Sequence, residues 1–180
     1  MDKKKAQIWY TDFILGLTIF LIVFLISLKY VSDNSYTKKD ELKDMVLSLN
    51  SVSESLMSQG IPGSWNENNV ISIGITNGNY ILNVTKLSLF YNLTMLDYEH
   101  TKSLLQTKYD FLVFFKNQVN RTINLTQKFF GDPGETDDTL KTMDPDKLVS
   151  LKRYLVLKKN INGNITSNII EMNIYLWDRE

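Results

Sequence analysis

The chain has 180 residues, 43% of them apolar, with 20 basic side chains against 20 acidic ones and no cysteine. That length suits one ordinary domain with an appended segment, and a formal net charge of zero leaves no general basic field, so nucleic acid is not an expected partner. The absence of cysteine removes disulfides, thiolate chemistry and Cys-based metal sites, and a single histidine, His100, removes multi-His metal sites and leaves little for an acid–base relay.

The mean hydropathy of -0.17 hides a strong asymmetry towards the amino terminus. From Phe13 to Leu28 runs FILGLTIFLIVFLISL, without a charge and broken only by Gly16, Thr18 and Ser27. As a helix this spans about 24 Å, and counted from Ile8 it becomes long enough to cross a hydrocarbon layer of roughly 30 Å. Its apolar character goes all round rather than lying in one stripe, which argues against a core helix. Lys29, Tyr30, Val31, Ser32 and Asp33 follow it, with no small-x-small cleavage pattern, which argues against a removed secretory signal. A retained membrane helix is the expected reading. Lys3, Lys4 and Lys5 place the amino terminus on the cytoplasmic side and the bulk of the chain outside, with Trp9 and Tyr10 at the inner interface.

Asp12 stands at the cytoplasmic edge of this run. An unpaired carboxylate drawn into lipid costs up to a few kcal/mol, less near the interface than at the bilayer centre. Were the chain cut between Ala6 and Gln7, the new α-ammonium of Gln7 would lie about a turn away, in the same chain or in an axially staggered neighbour. The alternative is that Asp12 snorkels to the interface beside the lysines.

A short basic leader ending Lys5-Ala6, then Gln7, then an acid close to the start of an unbroken apolar helix, resembles the class III signal peptide of archaeal type IV pilins and archaellins. The resemblance covers about the first thirty residues. It implies a leader of residues 1–6 clipped by a prepilin peptidase at Lys5, Ala6 and Gln7, a mature amino terminus at Gln7, and Asp12 as the assembly acid, here Asp rather than the usual Glu and one place later. It further implies that the apolar helices leave the bilayer to pack into a filament core, so the expected partners are the membrane, the peptidase and other pilin-like subunits in a homo- or hetero-oligomer.

Beyond the span, Leu42, Met45, Leu49, Val52 and Leu56 repeat in alternating steps of three and four, a narrow apolar seam on a helix over about 39–58. Its cover is either the protein's own sheet, the favoured reading, or a neighbouring subunit. Ser35 or Thr37 would cap this helix if the chain breaks at 32–35; otherwise one rod runs through. Gly60 stops it and Pro62 prevents its resumption. The alternation of Ile71, Ile73 and Ile75 before Asn77-Gly78 predicts a hairpin over 70–84. Residues 86–106 change to a helical period, in two pieces divided at Asp97. The aromatic stretch 109–115 reads as a strand, with INLTQKFF as its hairpin partner. The acidic, turn-rich segment GDPGETDDTLKTMDPDK reads as an exposed loop. SLKRYLVLKK, Asn162-Gly163 and SNIIEMNIYLW make a second hairpin with Ile170, Met172, Ile174 and Leu176 on one face.

The expected fold is therefore α+β: a long amino-terminal transmembrane and amphipathic helix followed by an antiparallel β-sheet domain with a helical insertion, as in pilins. The expected organisation is a leader at 1–6, a membrane or filament-core helix at 7–30, an amphipathic extension at 31–60 and an extracellular β-rich domain at 61–180. Five Asn-x-Thr sequons, at Asn83, Asn92, Asn120, Asn124 and Asn164, all follow the apolar run, where orientation predicts the outer side and glycan attachment. Asp132, Glu135, Asp137 and Asp138 lack EF-hand spacing and read as a solvated loop, so no metal or cofactor is expected. Without a nucleophile–base pairing or a phosphate-cradling loop, no enzyme is expected. The expected function is a pilin-like filament subunit, anchored in the membrane before leader cleavage. The alternative is a monomeric single-pass membrane-anchored module for binding or adhesion.

Overall fold

The computed structural model of the chain describes the backbone of residues 3–117, 119, 122, 125, 127–142, 148–161 and 164–179, and their side chains apart from 3–9, 32–39 and 159–161. Two compact units divide it, Met1–Glu41 and Leu42–Glu180. Helix α1 (Lys3–Met57) begins in the first unit and ends in the second. Its backbone is helical through 32–35, so the break that Ser35 or Thr37 would cap does not form there. No glycine or proline lies between Gly16 and Gly60, and serine, aspartate and asparagine weaken a helix without breaking it.

In the second unit the seam is covered by the chain itself. Met45, Leu49, Val52 and Leu56 belong to the main core together with Phe111, Val113, Ile174 and Leu176, whereas Leu42 is exposed and lies outside it. Carbonyls at the end of α1, which a helix leaves without intrahelical donors, and those of the two residues after it find partners in later segments. Ile75 N donates to Leu56 O and Thr76 N to Ser58 O; Thr76 Oγ1 donates to Met57 O at 2.9 Å, and Lys86 Nζ to Gln59 O at 2.8 Å. Gly60, at φ +74°, then turns the chain away; a Cβ there would strike the Trp65 ring and Ser72 O.

This accounting explains why the expected hairpin over 70–84 does not form. Ile73 and Ile75 are buried as their alternation implies, but the N–H groups of Ile75 and Thr76 serve the end of α1 rather than a facing strand. One antiparallel bridge, Thr76 to Leu82, closes the Asn77-Gly78 turn, and Ile81 bridges in parallel to Val156.

Two helices follow, α2 (Val84–Leu96) and α3 (Tyr98–Leu104), divided at Asp97 as expected. Asp97 is extended, closes α2 by donating its N–H to Leu93 O, and opens α3 by accepting from His100 N. The sheet is antiparallel in the order β2-β1-β4-β3, formed by β1 (Asp110–Lys116), β2 (Phe129–Gly131), β3 (Leu148–Ile161) and β4 (Asn164–Trp177). Of the expected partner INLTQKFF, the two terminal phenylalanines pair with β1, as does the following Gly131, while Ile123, Asn124 and Thr126 lie outside the described residues. The β3–β4 pairing stands as read, with the turn residues Asn162 and Gly163 outside the described residues, and Ile170, Met172, Ile174 and Leu176 line its core face opposite Phe111, Val113 and Phe115.

The other face of the sheet carries a smaller cluster of Leu112, Phe114 and Trp177, covered by Leu140. Here the acidic segment departs from the exposed loop expected of it. Thr136 and Thr139 form a capping box that starts a short helix, α4 (Asp137–Leu140), and Leu140 and Asp132 are buried. Leu140 supplies apolar surface that covers that face. Gly131 must be glycine: φ is +134°, and a Cβ would overlap the carbonyl of Phe111. The fold is α+β, with an apolar amino-terminal helix, a four-stranded antiparallel sheet and several shorter helices.

Candidate functional site

The first unit presents the most distinctive chemistry. Tyr10–Val31 is a helix of 22 residues, long and apolar enough to cross a membrane, and none of it is buried inside the chain. At 1.5 Å per residue it reaches about 33 Å. A core helix of a water-soluble protein would be largely covered; here Phe13, Phe20 and Leu25 are each more than 60% exposed. Thr18, one of the few polar residues in the span, donates its hydroxyl to Ile14 O at 2.8 Å, so that group needs no water. Phe20 and Phe24, one turn apart, stack at 6.0 Å between centroids.

Asp12 is exposed, near the amino-terminal end of this span. Lys5, Ala6 and Gln7 lie on the same helix as Asp12; their backbone is helical and their side chains fall outside the description. The sequons are dispersed over the second unit. Asn83 caps α2, its Oδ1 accepting from Thr85 N and Lys86 N; Asn92 is exposed on α2; Asn164 is exposed at the start of β4; Asn120 and Asn124 lie outside the described residues.

Sequence reasoning missed a charged network at one end of the sheet. Arg179 Nη2 lies 2.7 Å from Asp132 and 3.1 Å from Glu135, and its Nε lies 3.7 Å from Asp110. Lys102 Nζ reaches Asp110 at 3.2 Å and Glu99 at 2.8 Å. Burial works against the charge of both cations, but these carboxylates outweigh it and hold both above their ordinary values. The network ties the segment after β4 to the starts of β1 and of the acidic stretch, its members paired with one another. Lys86 is buried too, bonded to Gln59 O and to Thr76 O, and burial lowers its pKa. Among the described residues no three His, Cys, Asp or Glu side chains gather as a metal site. An open cleft of about 420 Å³ between α1 and the turn after α3 is lined by Ser51, Ser55, Ser58 and Gln106, with Glu54 its one carboxylate.

Beside this network, the Tyr98 phenol oxygen accepts from Phe111 N at 2.9 Å, and burial pushes its ionisation far above the usual 10.0. The unfolded chain therefore releases this proton at a pH where the fold still holds it. The contribution of Tyr98 to stability is full below pH 10 and falls above it, by at most about 1.4 kcal/mol per pH unit. Lys86 acts in the opposite sense between its lowered value and 10.5. Tyr98→Phe is expected to flatten the alkaline limb of the denaturation profile, measured by chemical unfolding between pH 9 and pH 11.

No family model, no curated protein and no solved structure matches this chain.

Proposed function

We propose that the chain is a subunit of a type IV pilin-like surface filament, held in the membrane by Tyr10–Val31 with its amino terminus inside and Leu42–Glu180 outside. The observation that carries this reading is an apolar helix, exposed on all sides, preceded by three lysines and Ala6-Gln7 and bearing Asp12 at its foot. Lipid covers such a surface first; after removal of residues 1–6, copies of the same helix cover it in a filament core. In that setting the α-ammonium of Gln7 offers Asp12 a cationic partner in place of the cytoplasmic interface.

One observation favours the alternative, a monomeric anchored module for binding or adhesion. The seam at Met45, Leu49, Val52 and Leu56 is already covered by the chain's own core and presents no coiled-coil face to a neighbour. Coexpression with a prepilin peptidase, followed by intact-mass measurement, separates the two. Loss of Met1 to Ala6 is the expected result; a chain that stays uncut in the presence of active peptidase overturns the filament reading and leaves the anchor.

A further inference from the structure

Three sequons fall on described asparagines, and each has a different environment. Asn83 is half-buried; besides capping α2, it donates from Nδ2 to Asn77 Oδ1 at 2.6 Å, so the nitrogen that would take a sugar is already engaged. Asn92 is exposed, but its sequon is wound into α2, and the Thr94 hydroxyl, 1% exposed, donates to Tyr91 O at 2.7 Å. Asn164, Ile165 and Thr166, by contrast, are all exposed at the tip of the β3–β4 hairpin. β1 pairs with β4 only from Glu171 to Trp177, so the flank of β4 over 164–170 has no neighbouring strand among the described residues.

We propose that Asn164 is the glycan acceptor among these three sites, with Asn83 and Asn92 left bare. This rests on the external placement of Leu42–Glu180 proposed above. The chemistry is substitution at the anomeric carbon of a polyprenyl-phosphate-linked oligosaccharide. The carbon–oxygen bond to phosphate breaks with its electron pair leaving on the phosphate, the bond from Asn164 Nδ2 to that carbon forms, and the amide gives up one proton to the transferase. Only a sequon open to the enzyme on a surface segment can enter that reaction once the chain is folded. A bulky hydrophilic chain at this tip also obstructs strand addition along that flank, a hazard that exposed sheet edges carry.

The test uses the full chain recovered from membranes of a host with N-glycosylation machinery, with glycopeptides read by mass spectrometry. Labelling of intact cells with a membrane-impermeant amine reagent reports separately whether the second unit is outside. The expected result is a sugar increment on the Asn164 peptide, none at Asn83 or Asn92, loss of the increment in both Asn164→Gln and Thr166→Ala, and its retention in Thr166→Ser. A sugar at Asn83 or Asn92, or a labelled chain with Asn164 bare, overturns the assignment and leaves the membrane reading standing. A chain that the reagent does not reach overturns both.

Discussion

Replacing Leu21, near the centre of Tyr10–Val31, by arginine is expected to release the chain from membranes. Leucine at a bilayer centre favours insertion by about 0.5 kcal/mol, whereas arginine opposes it by about 3 kcal/mol, a swing of roughly 3.5 kcal/mol or some two to three decades in partition. Because Tyr10–Val31 is the one candidate span among the described residues, no second described helix compensates. Arginine escapes such a cost by snorkelling only near a helix end, and Leu21 is about 15 Å from either end of the span. The measurement is the fraction resistant to alkaline carbonate extraction, with Leu21→Ile as the volume-matched control. Leu21 is exposed and outside both core clusters, so unfolding of Leu42–Glu180 is expected to stay unchanged. Undiminished retention of Leu21→Arg would mean that the helix is held by something other than lipid.

That helix was legible because membrane crossing depends on length and composition, which a sequence displays directly. The division at Asp97 and the β3–β4 pairing were legible for a related reason: a capping carboxylate and strict alternation are local signals. The segment 70–84 was misread because buried alternating isoleucines fit a hairpin as well as a loop, and the partner that decided between them was the end of α1, some 18 positions earlier. Leu140 was hidden among acids, since its burial depends on an uncovered sheet face that only the assembled strands define. Arg179 draws Asp110, Asp132 and Glu135 together from separate parts of the chain, and nothing near any of them announces the meeting. Asn83 reads in the sequence as a sequon, and its role as N-cap of α2 comes from the structure. The structure shows the cap in place; glycan attachment is a further event that competes for the same amide.

The second large effect is expected in the core of Leu42–Glu180, where Phe90→Ala should cost about 3–5 kcal/mol. Phe90 is fully buried; its ring stacks on Phe111 at 6.0 Å and on Phe130 at 6.3 Å. Phe130 in turn meets Phe115 and Tyr91 edge-on at 5.8 and 6.2 Å. Truncation removes the transfer free energy of the ring and two aromatic contacts, each worth about 0.5–1.5 kcal/mol beyond area. It also leaves a cavity walled by α2, β1 and β2, and Phe111 and Phe130 are fixed by antiparallel pairing, so the walls resist collapse. Against a typical domain stability of about 5–15 kcal/mol, a loss of that size brings unfolding well into the range of mild denaturant. Phe90→Leu keeps most of the volume and is expected to cost about 1–2 kcal/mol, so the gap between the two variants measures the cavity rather than the loss of aromaticity. Denaturant unfolding of the full chain in detergent micelles gives both values, and membrane retention is expected to survive either change because the span lies in the other unit. A Phe90→Ala chain as stable as the parent would show that the ring stack does not hold this core together.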